Sequence, residues 1–272
     1  MNINYLILVI LLIILLLILS KNNILTFNNI EKNNILTFNN IEKNNKISIV
    51  IPCIPRDIKY LDRLMESIKN QSYKPYEIII ALSGDDLIFN INKLNNLLFE
   101  KFNLPIKFSY HKKKCNASVN RNRGAKFCSG DIITFMDADD KMYPDKLSYI
   151  NTYFNKNNPK LLLHAYSSGY DKFDFKKSFE IVLGKKLYDV AKLTENKILR
   201  LPIGDIAHGH SSISSDVINN INFREDVNIG EDTLFVRDIL KFYGRENNTA
   251  IFINIPLSQY IPSKNQNLEK IE

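Results

Sequence analysis

Asp131-Ile-Ile-Thr-Phe-Met-Asp-Ala-Asp-Asp140 is the stretch on which the reading of this chain turns. Ile132, Ile133, Phe135 and Met136 are apolar without helical spacing, which predicts a buried central strand. That strand runs into Asp137, Asp139 and Asp140. Like charges so close repel one another unless something positive sits among them. A divalent cation with oxygen ligands is the simplest neutraliser, and Asp-x-Asp lets two carboxylates reach one hard ion. The plainer alternative is a solvated acidic turn that caps the next helix.

Outward from this stretch, strands and helices alternate. Ile47 to Pro52 is a short β-branched run, so a strand. Asp57 is placed to cap a helix carrying Ile58, Leu61, Leu64, Met65 and Ile68 on one face. Glu77 to Leu82 reads as a second buried strand, with Ser83-Gly84-Asp85-Asp86 as its turn. Leu87 to Phe102 suits a helix with Ile91, Leu94, Leu97 and Leu98 inward. Pro105 to Tyr110 is a third strand and Ala117 to Phe127 a helix. Pro144 fits the first turn of a helix carrying Leu147, Ile150 and Phe154. Such alternation is the pattern of a parallel sheet with helices on both faces, and ligands of such sheets bind beyond the carboxyl ends of the strands. Three polar loops emerge there: Pro52 to Asp57, Ser83 to Asp86, and Asp137 to Asp140. Residues 167 to 200 are lysine-rich and carry no readable pattern. After them come Ala207-His-Gly-His-Ser-Ser-Ile213, a helix expected after Asp216 with Val217, Ile218 and Ile221, a helix opening at Gly230-Glu231-Asp232-Thr233, and a last strand over Ala250 to Asn254.

The chain has 272 residues, 45% hydrophobic and 24% charged, with a formal net charge of +7. That suits one globular domain of roughly 200 to 220 residues plus extensions. Its basic residues are scattered apart from Lys112-Lys113-Lys114, read as a solvated loop, so no nucleic-acid partner is implied. Three cysteines, Cys53, Cys115 and Cys128, are odd in number and lack metal spacing, so they read as small buried apolar residues rather than a disulfide framework. Ile3 to Leu19 is almost wholly Leu and Ile, at the short end of a membrane span. It has no basic start and no cleavage signature, which favours an uncleaved single-pass anchor. Lys21 and Lys32 flank it on the C-terminal side only, which places the main domain in the cytosol by the positive-inside rule. Lys21 to Glu31 recurs word for word at residues 32 to 42 and reads as a duplicated spacer. The expected organisation is an anchor at 1–20, an Asn-rich spacer at 21–45, the α/β domain at 46–262 and a polar tail at 263–272.

Four segments in order resemble glycosyltransferase family 2, whose nucleotide-sugar-binding GT-A fold is a Rossmann-like, mostly parallel sheet flanked by helices. Ile47-Ser-Ile-Val-Ile-Pro52 resembles the opening strand. Asn116-Ala-Ser-Val-Asn-Arg-Asn-Arg-Gly-Ala125 resembles the Asn-x-x-x-x-Arg-Asn-x-Gly-Ala loop. Phe135-Met-Asp-Ala-Asp-Asp140 resembles the metal-binding Asp-x-Asp, and Gly230-Glu-Asp-Thr233 the Glu-Asp pair that opens a late helix. The resemblance implies an inverting transfer of a sugar from a nucleoside-diphosphate sugar to a hydroxyl of a glycan, lipid or protein acceptor. It implies Mn²⁺ or Mg²⁺ on Asp139, with Asp137 near the ribose or beside the ion, to neutralise the leaving diphosphate. Asp232 is the implied general base, with Glu231 its rival. Arg121 is implied to pair with phosphate or close against the base, and His208 or His210 to complete the metal shell or touch the diphosphate. Pro52, Ser83, Asp85 and Asp86 are the implied contacts to the nucleotide.

One departure stands out. The family's second strand ends in an acid that holds the donor's base, and here Leu82-Ser83 occupies that place. Two other readings share parts of the pattern. A nucleotidyltransferase would show a glycine-rich loop after its first strand, which Pro52-Cys-Ile-Pro-Arg-Asp57 lacks. A catalytically inactive, membrane-tethered binding or structural protein would tolerate the missing acid, but not need both Asp-Ala-Asp-Asp and Gly-Glu-Asp-Thr.

Overall fold

Parallel strands covered on both faces must be apolar throughout, and the first two strands of the computed structural model are. Every residue of β1 (Ile47–Cys53) and β2 (Glu77–Ser83) is buried. The structure describes residues 43–85, 91–168, 180–182, 210–244 and 249–261. Between β1 and β2 a 3₁₀ turn (Pro55–Tyr60) leads into α1 (Leu61–Lys69). Leu61, Leu64, Met65 and Ile68 fall on one face of α1 and are buried. The elements that follow are α2 (Ile91–Phe102), β3 (Ile106–His111), α3 (Ala117–Lys126), β4 (Ile132–Phe135), β5 (Lys141–Met142) and α4 (Lys146–Asn157). Then come β6 (Leu161–Ser168), β7 (Glu180–Val182), β8 (Ser212–Ser214), a 3₁₀ turn (Ser215–Asn219), α5 (Glu231–Tyr243) and β9 (Ala250–Tyr260).

The strands form one sheet in the order β3-β2-β1-β4-β8-β6-β9-β5, with β7 paired to β9. From β3 to β4 every pairing is parallel. Beyond β4 the sense changes, because β8 runs antiparallel to both β4 and β6. The sheet is therefore mixed rather than mostly parallel. Strict alternation of strand and helix ends at β4, which β5 follows without a helix, and it is alternation that supplies the crossovers needed for parallel neighbours.

Two apolar layers enclose the sheet. Ile47, Ile49 and Ile51 face a layer that contains Leu61, Leu64, Leu147 and Ile150. Val50, Ile79, Ile133 and Phe135 face the other, with Phe235, Ile239 and Phe252. α3 lies very close to β1 and β2. A Cβ at Gly124 would sit 2.6 Å from Val50 Cγ1 and 3.1 Å from Ala81 Cβ, so only glycine lets that helix approach.

Several local expectations change. Leu97, expected inward, is 53% exposed, and α2 buries Leu98 and Phe102 instead. Asp57 makes no side-chain cap; the residue that precedes the 3₁₀ turn is Ile54. Pro144 lies before α4 rather than in its first turn. The segment after Asp216 forms only a 3₁₀ turn, and β9 continues past Asn254 to Tyr260. Cys53 is buried, whereas Cys115 and Cys128 are half-buried. Among the described residues no helix is long and apolar enough to cross a membrane. The expected anchor and nearly all of the spacer, Asp86, His208 and the tail lie outside the described residues.

Candidate active site

Because β1, β2 and β4 run parallel, their carboxyl ends lie at one edge of the sheet, and the carboxylate loop leaves from the end of β4. The loop is pinned on several sides. Asp140 N donates to Asp137 O at 3.2 Å, and Asp140 Oδ1 accepts from Ile261 N at 2.7 Å. The carbonyl of Asp139 accepts a hydrogen bond from the Arg63 guanidinium. Burial first, and then the neighbouring carboxylates, push both Asp139 and Asp140 up to about 7. Concentrated negative charge in a half-closed site is relieved most directly by a cation.

His210 completes the group. Its Nε2 lies 2.8 Å from Asp140 Oδ2 and 3.7 Å from Asp137 Oδ2. One ligand atom from each of Asp137, Asp140 and His210 lies within 4.8 Å of the others. Burial, with Lys146 nearby, drives the imidazole down to about 3, so it is neutral at physiological pH and in its metal-binding form. Asp140 Oδ2 is buried and makes no hydrogen bond of ordinary geometry, although His210 Nε2 is so close. A buried carboxylate oxygen of this kind beside a neutral imidazole fits a divalent cation. Asp139 is adjacent in the loop but is not one of the three that converge.

Arg121 links this loop to the late helix. It is 3% exposed. Its Nη2 donates to Asp137 Oδ1 at 2.7 Å and its Nη1 to Glu231 Oε1 at 2.8 Å. The guanidinium lies 5.2 Å from the centroid of the Phe223 ring, which stacks on Phe235 at 3.9 Å. Phe135, at the end of β4, meets both rings edge-on. Thus β4, α3 and the start of α5 converge on one buried cation. Its two carboxylate partners outweigh burial and raise its pKa.

Asp232 is the second residue of α5, beyond a left-handed Gly230 with φ of 79°. Its Oδ1 accepts from Thr233 N at 2.7 Å. Burial is the main cause that raises its pKa, and Glu231 and Asp137 add to it.

The turn after β2 is built differently from the expectation for a ligand-gripping residue. Ser83 is fully buried. Its Oγ accepts from Cys115 N at 3.0 Å and from Asn120 Nδ2 at 2.9 Å. Asn120 Oδ1 accepts in turn from Arg123 Nη2, which also donates to Leu82 O at 2.9 Å. Pro52 is buried in β1, paired with Ala81. Asp85 is exposed. The Asn116 side chain caps α3 by accepting from Val119 N at 3.0 Å, and its Nδ2 donates to Glu225 O at 2.8 Å. Asn122 holds Phe223 through both backbone groups, with Oδ1 accepting and Nδ2 donating at 2.8 Å.

Lys146 is the feature that sequence reasoning missed. It is fully buried, and its Nζ donates to Ser258 Oγ at 3.0 Å. Burial drives its pKa down to about 7, against the pull of Asp140 and Asp137. The available signal was a lysine directly before the inward residues Leu147 and Ile150 of a helix that follows the acidic loop.

Comparison with known proteins places this geometry. Residues 48–221 match the model of the family described as Glycosyl transferase family 2. A GalNAc(5)-diNAcBac-PP-undecaprenol beta-1,3-glucosyltransferase of Campylobacter jejuni is 31% identical over 106 residues, 38% of this chain and 32% of that protein. Among the curated relatives matched, the aligned stretch spans from 16% to 41% of the relative's length. The fold superposes on S. aureus TarS 1-349 in complex with UDP-GlcNAc with a TM-score of 0.60 at 17% identity, covering 82% of this chain and 60% of that one. It also superposes on the mannosyltransferase PcManGT of Pyrobaculum calidifontis, in complex with GDP-Man and Mn2+, with a TM-score of 0.52 at 13% identity. That comparison covers 84% of this chain and 60% of the mannosyltransferase. The matched span holds nearly all of β1, Arg121 of α3, the carboxylate loop and His210: the chain belongs to glycosyl transferase family 2.

Proposed function

We propose that this protein moves a sugar from a nucleoside-diphosphate sugar to an acceptor hydroxyl, with inversion at the anomeric carbon. The observation that carries the reading is the convergence of Asp137, Asp140 and His210 at the carboxyl edge of the sheet, tied through Arg121 to the first turn of α5. Family membership supports the reaction class, and two structural neighbours were solved with UDP-GlcNAc and with GDP-Man and Mn2+.

Asp137, Asp140 and His210 would hold Mn²⁺ or Mg²⁺, with Asp139 beside them. Bound there, the ion supplies charge neutralisation for the diphosphate that leaves. The protein's own residues do the rest. Asp232 takes the proton of the acceptor hydroxyl as its oxygen bonds to the anomeric carbon. The bond from that carbon to the diphosphate oxygen breaks on the opposite face, which inverts the centre. Glu231 is held by Arg121, so its charge is already committed, whereas burial gives Asp232 a higher proton affinity. The helix N-terminus favours the ionised carboxylate that must be present before the hydroxyl proton is taken. Arg121 positions Asp137 and Glu231 rather than waiting for substrate.

The nucleoside half is read as lying over β1 and β2, near Pro52 and the turn after Ser83. The Ser83 hydroxyl already has two donors, so recognition of the base falls to the backbone of that turn and to Asp85 or Asp86. The acceptor is a hydroxyl of a glycan, lipid or protein. The apolar run at Ile3 to Leu19 supports a single-pass tether, and Lys21 and Lys32 on its C-terminal flank support a domain on the cytosolic side. The direct test incubates the full chain with a panel of nucleotide sugars, Mn²⁺ and methyl glycosides, and assigns the product's anomeric configuration by NMR. A product of inverted configuration supports the proposal, and a retained one refutes the single displacement.

A further inference from the structure

Tyr260 stands at the rim of the carboxylate loop and has no part in the chemistry above. Ser258 and Tyr260 share one face of β9, since side chains alternate along a strand. That face is fixed by Ser258, whose Oγ accepts from Lys146 Nζ at 3.0 Å and lies 3.8 Å from Met136 Sδ. Tyr166 is the register partner of Ser258 on β6, so its side chain emerges on the same face. The rings of Tyr166 and Tyr260 meet edge to face, 6.3 Å apart at 72°. Ile261, the next residue, donates its N–H to Asp140 Oδ1 at 2.7 Å, which fixes Tyr260 beside the loop. Yet Tyr260 remains 44% exposed.

An aromatic ring held by an edge-to-face neighbour, 44% exposed and tipped with a hydroxyl, suits a ligand that has both a C–H face and hydroxyls. In the sheet order, β9 and β6 lie on the opposite side of β4 from β2. A nucleotide sugar with its base near the turn after β2 and its diphosphate at Asp137 and Asp140 would extend a sugar toward β9. We propose that Tyr260, braced by Tyr166, is a saccharide-binding residue on which a pyranose ring of the donor or the acceptor stacks. The placement of the nucleotide rests on the function proposed above; the stacking surface does not.

Saturation-transfer NMR on the full chain tests this with methyl pyranosides of glucose, N-acetylglucosamine and mannose as probes, with and without UDP-GlcNAc or GDP-mannose and Mn²⁺. The wild type should transfer saturation to ring C–H protons of at least one glycoside. Tyr260→Ala should weaken that binding by about fivefold or more, and Tyr260→Phe should keep most of it. A glycoside displaced by the nucleotide sugar marks a donor subsite; one retained with it marks an acceptor subsite. Absence of binding in the wild type, equal binding in Tyr260→Ala, or equal loss in Tyr260→Phe and Tyr260→Ala overturns the proposal. Calorimetry with UDP and Mn²⁺ reports separately on the nucleotide site. Its failure with glycoside binding intact would count against the transferase reading alone.

Discussion

Arg121 Nη1 donates to Glu231 Oε1 at 2.8 Å across a sequence separation of 110 residues, and the same guanidinium holds Asp137. One buried cation thus fixes the spacing between the loop that would carry the metal and the helix that would carry the base. Removing one partner from a buried ion pair costs about 3–5 kcal/mol, because the other charges are left uncompensated. Arg121→Ala should lower the melting temperature strongly and abolish transfer. Arg121→Lys should recover part of the stability and little of the rate, since an ammonium cannot span two carboxylates as a planar fork does. Thermal melts and initial rates on the same preparations check both.

The two acids at the start of α5 should separate by their kinetics. Asp232→Asn is expected to keep nucleotide-sugar affinity and to lose turnover by roughly two orders of magnitude or more. Glu231→Gln loses its ion pair with Arg121 and should be less stable as well as slower. If Glu231→Gln alone shows intact folding, intact binding and lost turnover, the roles are exchanged.

Lys146 gives a pH signature. Its pKa is about 7 in the folded protein and 10.5 in the reference state. Between those values the unfolded chain holds a proton that the folded one has lost, so stability rises with pH across that window. Below about 7 both states are protonated and the contribution is flat at its least favourable level. Lys146→Met should remove this rise, so that its melting temperature relative to wild type falls steadily from pH 7 to pH 10. An unchanged difference across that range would contradict the assignment.

Glu77 also makes stability rise with pH, but in the acid range, because here it is the charged form that the fold stabilises. It is buried at the other end of β2 and accepts from Ser48 Oγ at 2.7 Å, from Ser129 N at 2.6 Å and from Lys107 Nζ at 2.7 Å. Burial opposes ionisation, but these donors prevail and hold its carboxyl down to about 2. The stabilisation is present above the unfolded value of 4.5 and is lost as pH falls toward 2. Glu77→Gln should cost about 1–3 kcal/mol at pH 7. The cost should shrink in melts below pH 4, without any direct effect on the site.

Much of the architecture was legible because burial leaves a strong mark on composition. Strands β1, β2 and β4 are runs of Ile, Val and Phe with nowhere to go but the interior, and α1 shows its apolar face at helical spacing. The site was legible as an ordered set of short motifs: Asn116 to Ala125, Asp137 to Asp140, and Glu231 with Asp232. Position within a motif was harder. Nothing in Asp-Ala-Asp-Asp says which carboxylate a loop turns toward His210, because that depends on backbone pins from Arg63 and Ile261 that lie far away in sequence. Ser83 reads as a ligand contact, yet its hydroxyl is taken by Asn120 and Cys115 once α3 packs on the sheet. The burial of Lys146 and the place of Tyr260 beside the carboxylate loop were invisible, since a lysine and a tyrosine near helix and strand ends ordinarily face water. Helix α2 misled for a simpler reason: Leu97 and Leu98 lie about 100° apart around the helix, and the buried face is centred on Leu98 and Phe102 rather than between the two leucines.

The most direct test of the central claim is the rate of nucleoside-diphosphate release from a nucleotide-sugar panel, followed as Mn²⁺ is titrated into chelator-treated full chain. The account predicts saturable, metal-dependent release with at least one donor. Asp140→Asn, which removes the buried ligand charge while keeping its shape, should lose most of it. Full release in excess chelator, or an Asp140→Asn protein with the wild-type metal dependence, would contradict it.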